Sequence, residues 1–220
     1  MNAQRLEVRR LGVVPYVEAE ELQCELVRQR QAGRVGDLLL LLEHPHVITL
    51  GVAARHSRAN VLAGPTELER RGVEVCEARR GGDVTYHGPG QLVGYPVISL
   101  KPDRCDVHRY VRDLEETMIL TAARFGVAAT RRSGLTGVWV GDGKLGAIGV
   151  RLSRWVTSHG FALNVATDLN YFSLIRPCGL VDRGVASLAT LTRRPPTASA
   201  VADVVAACFA EVFGRQIAPS

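Results

Sequence analysis

Apolar and polar positions along this chain follow two periods, one helical and one alternating. Over residues 18–32, Leu22, Leu26 and Val27 recur at helical spacing and the pattern stops at Gly33, which predicts an amphipathic helix. A longer helix is predicted from an N-cap at Asp106 through Phe125, closed by Gly126, with Val107, Tyr110, Val111, Leu114 and Met118 as its apolar stripe. A third opens at Thr197 or Ser199 and runs to Phe213 before Gly214. The leucine run at 37–43 reads as a buried strand broken at His44-Pro45, and residues 47–50 continue extended. Strands are predicted at 73–76 and 91–100, on either side of a glycine-rich segment, and again at 159–165. Residues 137–140 and 144–152 form a hairpin around Gly141-Asp142-Gly143. Residues 51–72 are mostly loop, with a short helix at 65–71. Helices and strands mix without a regular βαβ alternation, so the expected fold is α/β or α+β around a mixed sheet, with residues 1–220 as a single domain.

Composition narrows the class. With 46% hydrophobic and 22% charged residues in 220, the chain is globular rather than disordered. Apolar runs such as residues 38–42 are far short of a membrane span, and the N-terminus has charge without the apolar core of a signal peptide. The expectation is a cytoplasmic protein that does not engage membranes. The five cysteines (Cys24, Cys76, Cys105, Cys178, Cys208) are odd in number and scattered, with no CxxC pair and no Cys/His spacing of a zinc site. They are expected to be reduced thiols, any of which could act as a nucleophile, and no metal is expected. A balance of 27 basic to 22 acidic residues gives +5, but the arginines are dispersed and no aromatic-basic platform appears. An acidic protein partner suits this excess, and nucleic acid is not expected.

Residues 79–97, RRGGDVTYHGPGQLVGYPV, are the hardest stretch to explain as ordinary folding sequence. Gly81, Gly82, Gly88, Gly90 and Gly94 crowd it, and such density destabilises a segment unless the backbone needs positive φ or something approaches the main chain closely. Thr85, Tyr86 and His87 add polar side chains able to orient a ligand. Gly141-x-Gly143-x-x-Gly146 formally matches the dinucleotide fingerprint, but the residues after it alternate as a strand where that motif needs a helix. Lys144 is followed by Leu145 and lacks the glycine of a P-loop six residues before it. His44 and His46 at i, i+2 lack carboxylate partners and are expected to be structural or solvated. Lys144 opens an apolar, glycine-rich strand, although a lone lysine on a hairpin is ordinarily a solvated charge. Pro177-Cys178-Gly179 holds a thiol in a rigid turn poor in side chains, unlike Cys24 and Cys208, which sit in helical patterns as small buried hydrophobes do.

Taken together, RGGDVTYHGPGQ, KLGAIGVR, HGFALN and PCG, with EHPHVITLG at 43–51 and GVW at 137–139, closely resemble the lipoyl(octanoyl) transferase family over most of residues 37–188. The resemblance implies the fold of the biotin and lipoate protein ligases and no cofactor. It also implies transfer of an octanoyl group from octanoyl-acyl carrier protein to a lysine of lipoyl-domain proteins, such as the E2 subunits of 2-oxoacid dehydrogenases and the glycine cleavage H protein. By the same resemblance Cys178 is the acyl-accepting nucleophile and Lys144 its activator. Arg80, Gly81, Gly82, Asp83, Val84, Thr85, Tyr86 and His87 line an acyl channel with Ala147, Ile148 and Gly149 and with Gly160, Phe161 and Ala162. Ala186-Ser187 departs from the family's usual Thr-Ser. His87 and His159 are open candidates for proton transfer or carbonyl orientation. Two other classes stay in view: an ATP-dependent lipoate or biotin ligase, which shares the fold and a lysine but makes an acyl-adenylate, and a non-catalytic module that binds acyl carriers or lipoyl domains.

Overall fold

The structure is a computed structural model that describes residues 4–54, 58–102, 104–176 and 184–219. Its main sheet has eight strands, in the spatial order β11 (Arg215–Ile217), β1 (Gln4–Val13), β2 (Asp37–Glu43), β6 (Gln91–Val97), β10 (Val156–Asn164), β9 (Gly143–Ser153), β8 (Leu135–Val140) and β7 (Thr130–Arg132). β1 runs parallel to both of its neighbours and the remaining pairings are antiparallel, so the sheet is mixed, as expected. A second sheet of three strands sets β3 (Val47–Leu50) between β4 (Glu74–Glu77) and β5 (Val84–His87).

The leucine run explains the layering. Leu39 and Leu41 of β2 point into one core with Tyr110, Leu114 and Met118 of α3 (Val107–Arg124) and Val201, Val205 and Phe209 of α5 (Ala198–Phe213). Leu38, Leu40 and Leu42 point the other way, against Ala19 and Leu26 of α1 (Tyr16–Gln31). A strand covered by helices on both faces has no polar positions to alternate with, hence its continuous apolar pattern. Truncating Leu40 to alanine in such a site typically costs ~2–5 kcal/mol. The caps lie where the sequence puts them: Asp106 accepts from the Arg109 N–H at 3.0 Å, and Thr197 accepts from the Ala200 N–H at 3.2 Å.

Three expectations need correction, and one strand stands where none was expected. Residues 4–13 form a strand, although their charged sequence hides it; only Leu6 is deeply buried there and the backbone ladder does the rest. Val107 is 40% exposed and lies off the packed stripe of α3, because the first helical turn overhangs the core. The strand expected from residue 159 begins at Val156: Ser153 pairs with Val156 across Arg154 (φ 50°) and Trp155 (φ 67°), a left-handed two-residue turn made without asparagine or glycine. The glycine-rich segment contains β5, which pairs with β3 from Val84↔Leu50 to His87↔Val47. The remaining helices, α2 (Pro65–Arg70) and α4 (Leu188–Leu191), are short connectors.

Candidate active-site cleft

Between the two sheets lies a cleft with about 900 Å³ of empty space, partly open to solvent. β9 contributes Lys144, Ala147, Ile148 and Gly149; β10 contributes Gly160, Phe161 and Ala162; the glycine-rich segment adds Arg80, Gly82, Val84, Thr85 and His87. The cleft therefore gathers most of the residues expected for an acyl channel. Gly81, Asp83 and Tyr86 do not line it. The Gly81 N–H donates to the Val150 carbonyl at 3.0 Å, tying the segment to β9. The Asp83 carboxylate accepts from Asn60 Nδ2 at 2.5 Å. Tyr86 is on the β5 face opposite Thr85 and His87, stacked on Tyr171 at 5.2 Å between ring centroids, with its hydroxyl 2.8 Å from His46 Nδ1. Cys178 lies outside the described residues.

Lys144 is held by its backbone. Its N–H donates to the Gly184 carbonyl and its carbonyl accepts from the Ala186 N–H, each at 3.0 Å, in a parallel bridge to Val185. Its ammonium lies 5.3 Å from the centroid of the Trp139 ring, a cation–π distance. Gly137 makes room for the stem: at φ 111°, a Cβ there would stand 2.8 Å from Lys144 Cε and 2.5 Å from the Gly146 carbonyl oxygen. The buried Glu115 of α3 accepts from the Gly137 N–H at 3.0 Å and from Arg112 and Arg131 at 2.7 and 3.1 Å, so one carboxylate fixes the bend behind the lysine.

A polar relay follows one wall. Asn164 Nδ2 donates to the Ala186 carbonyl at 3.0 Å, Gln91 Nε2 donates to Asn164 Oδ1 at 2.9 Å, and Gln91 Oε1 lies 2.6 Å from His87 Nδ1. Gln91 Nε2 also faces the Tyr86 carbonyl, which fixes the amide's orientation. Gln91 Oε1 is then the acceptor, His87 carries its proton on Nδ1, and its Nε2 is a bare lone pair. Burial lowers the His87 pKa to about 3, so the ring is neutral at physiological pH.

The opposite end is a buried cluster of rings. Tyr16 lies 5.4 Å from His44 and 6.4 Å from His87, and Tyr95 lies 5.9 Å from His44 and 6.0 Å from His159. His44 donates from Nδ1 to the Val14 carbonyl at 2.7 Å and accepts the Tyr95 hydroxyl proton at Nε2 across 2.8 Å. Burial lowers its pKa to about 4 and that of His159 to about 3. Neither His87 nor His159 is suited to take up a proton near neutrality. Arg80, buried beside this cluster, donates to Thr49 Oγ1 and O at 2.8 Å and crosses β9 where Gly149 leaves space; a Cβ on Gly149 would stand 2.9 Å from Arg80 Cδ. Tyr16, Tyr95 and Phe172 also line the cleft and were not singled out from the sequence, and Gln91 and Asn164, the last residues of RGGDVTYHGPGQ and HGFALN, had no role assigned. They are scattered through helix starts and apolar strands, and only the folded chain brings them together.

The arrangement has known counterparts. The fold is that of the lipoate and biotin protein ligases. The bi-partite lipoate protein ligase of Thermoplasma acidophilum, described with its E2 lipoyl domain, superposes with a TM-score of 0.75 over 99% of this chain and 86% of its own, at 17% identity. The biotin protein ligase of Aquifex aeolicus superposes with a TM-score of 0.56 over 94% of this chain and 70% of its own, at 11% identity. Residues 15–210 match the lipoyl protein ligase A/B catalytic domain, and the chain belongs to that family. A curated relative from Solibacter usitatus, named octanoyltransferase, is 51% identical over 212 residues, covering 96% of this chain and 94% of the relative.

Proposed function

We propose that this chain is an octanoyltransferase of lipoate biosynthesis that works through a thioester on Cys178, with octanoyl-acyl carrier protein as donor and lipoyl-domain proteins as acceptors. The observation that carries the reading is a narrow cleft walled by Ile148, Phe161 and Ala162 that ends at an ammonium, Lys144, whose backbone is paired with the segment that follows Cys178. Relatives named octanoyltransferase at about half identity and nearly full coverage support the transferred group. A free thiol with pKa ~8.5 is only a few per cent thiolate at neutral pH, and a nearby ammonium in a partly desolvated site raises that fraction.

In the first step the Cys178 thiolate attacks the octanoyl thioester carbonyl. The new C–S bond replaces the bond to the carrier's thiol, which departs and takes up a proton. In the second, the acceptor's lysine amine attacks the acyl-enzyme, an amide forms, the Cys178 thiolate leaves, and the surplus amine proton passes to Lys144 or to solvent. Thioester exchange is nearly isoenergetic and amide formation runs downhill, so no nucleotide is required. The acceptor reading draws on the E2 lipoyl domain described with the Thermoplasma ligase.

Intact mass spectrometry after incubation with octanoyl carrier protein tests the proposal. One octanoyl adduct on Cys178, lost when a lipoyl domain is added, is expected. Turnover of octanoate with ATP, without any adduct from the carrier protein, would move the chain to the ligase class instead.

A further inference from the structure

We propose that His159 is the end wall of the acyl cleft and sets the longest chain the cleft can hold. The inference rests on the acyl-binding reading of the cleft. His159 lines that cleft, and it also lines a second, outer cavity open to solvent whose walls include Glu20, Gln23, Arg28, Arg79 and Arg151, with Glu20 Oε1 3.6 Å from His159 Nε2. Among the described residues it is the one that borders both, so a single imidazole separates the acyl space from a charged, solvent-facing pocket.

Its backbone is set for the task. His159 has φ 53°, the left-handed region that few residues other than glycine adopt, and its N–H donates to the buried Gln23 Oε1 at 2.7 Å. That bond, reaching from α1 to β10, fixes the main chain from which the ring projects into the end of the cleft. The wall is also polar. His159 Nδ1 and the Tyr16 hydroxyl, on residues only 3% and 2% exposed, find no hydrogen-bond partner among the described residues. An alkyl chain pushed against them leaves both groups unpaired and excludes any water that would pair them.

The strand register supplies the ruler. Opposite His159 on β9 is Val150, six positions beyond Lys144, or about 20 Å at ~3.3 Å per residue. With C–C bonds near 1.5 Å, an extended acyl chain advances roughly 1.3 Å per carbon, so eight carbons span about 9 Å and sixteen about 19 Å. The lysine and imidazole side chains themselves occupy part of the strand length. Eight carbons fit with room to spare, and sixteen meet the wall.

The test compares octanoic and hexadecanoic acids for equilibrium binding by titration calorimetry, and their carrier-protein thioesters for acyl-enzyme formation by intact mass. His159→Gly keeps the backbone geometry and removes the wall; the hexadecanoyl-to-octanoyl ratio is expected to rise at least tenfold in both assays. His159→Asn, which tolerates positive φ and is shorter, should raise it less, and it carries the test if the glycine variant does not fold. Tyr16→Phe, which removes one unpaired hydroxyl, should raise the ratio a few-fold. An unchanged ratio in a folded His159→Gly or His159→Asn protein overturns the inference. The binding assay needs no catalysis, so octanoate binding without transfer from the carrier protein would reject the transferase reading alone and leave the end wall to be judged from the ratio.

Discussion

The two ends of the cleft are both polar but are built in opposite ways. At the lysine end the main chain does the positioning: the carbonyl and N–H of Lys144 are paired with Gly184 and Ala186, and a glycine at 137 leaves space for the stem. Such pairing does not depend on the side chain at 186. At the histidine end side chains do the positioning, through His44, His87, Tyr95 and His159, all deeply buried and neutral. Lys144 carries a charge at one end, while at the other the histidines are held neutral by burial beside the charged Arg80 and Glu20. The lesson is that polarity alone does not locate the chemistry; the protonation state that burial permits does.

The sharpest way to break this comparison is to remove the chemistry at one end only. Cys178→Ser should abolish octanoyl transfer while Cys24→Ser retains it, measured as lipoyl-domain octanoylation. Lys144→Arg keeps the charge but not the compact ammonium or its ability to become neutral, and it should lose at least ~100-fold in kcat/KM. In Lys144→Ala, alkylation of Cys178 by iodoacetamide near pH 7 should slow; an unaltered pH profile of alkylation would sink the electrostatic role. Tyr95→Phe at the other end should change octanoyl transfer by less than ~10-fold, since it removes one hydrogen bond to His44 and no reacting group.

A second cut goes through the support of Lys144. Glu115→Ala leaves the Gly137 N–H and two arginines without their carboxylate, and because those arginines can rehydrate the expected loss is ~2 kcal/mol in urea unfolding. Glu115→Gln should recover most of that stability. Equal losses for the two substitutions would mean that charge, and not the bond to Gly137, is what matters.

Acid probes the histidine end. His44, His87 and His159 have folded pKa values of about 4, 3 and 3, below the ~6.5 of an unfolded histidine. Above pH ~6.5 both states are neutral and these groups add no pH dependence; below it the unfolded chain takes up protons that the folded one refuses, so stability falls as pH drops from ~6.5 toward 4. Each histidine contributes up to ~1.4 kcal/mol per pH unit in that window. His159→Asn should flatten the slope by about one proton's worth, seen as a smaller shift of Tm between pH 6.5 and 5.

The smallest effect expected is that of salt. Acyl carrier proteins and lipoyl domains are acidic as families, and this chain is +5. Raising ionic strength several-fold should lower kcat/KM for octanoyl carrier protein through slower encounter, and leave a small octanoyl thioester nearly unaffected. Equal sensitivity of the two donors would show that the positive charge does not steer.

The sequence by itself determined the elements whose cause is local. Leu38 to Leu42 announce a doubly covered strand, Asp106 and Thr197 announce helix starts, and the Gly141-Asp142 turn announces a hairpin rather than a nucleotide fingerprint. It also exposed the glycine-rich segment as hard to explain otherwise, and the motifs that accompany it in order along the chain pointed to the family, which alone marked Lys144 as more than a solvated charge. What only the tertiary structure decided has its cause at a distance. Residues 4–13 are a strand because β2 and β11 pair with them; Tyr86 faces away from the cleft because β5 pairs with β3; Tyr16, Gln91 and His159 meet although long stretches of chain separate them. Caps, turns and periodicity act within a few residues and are written locally. Strand pairing, side-chain facing and the desolvation that keeps three histidines neutral depend on which distant segments close over them, and that is settled only when the chain folds.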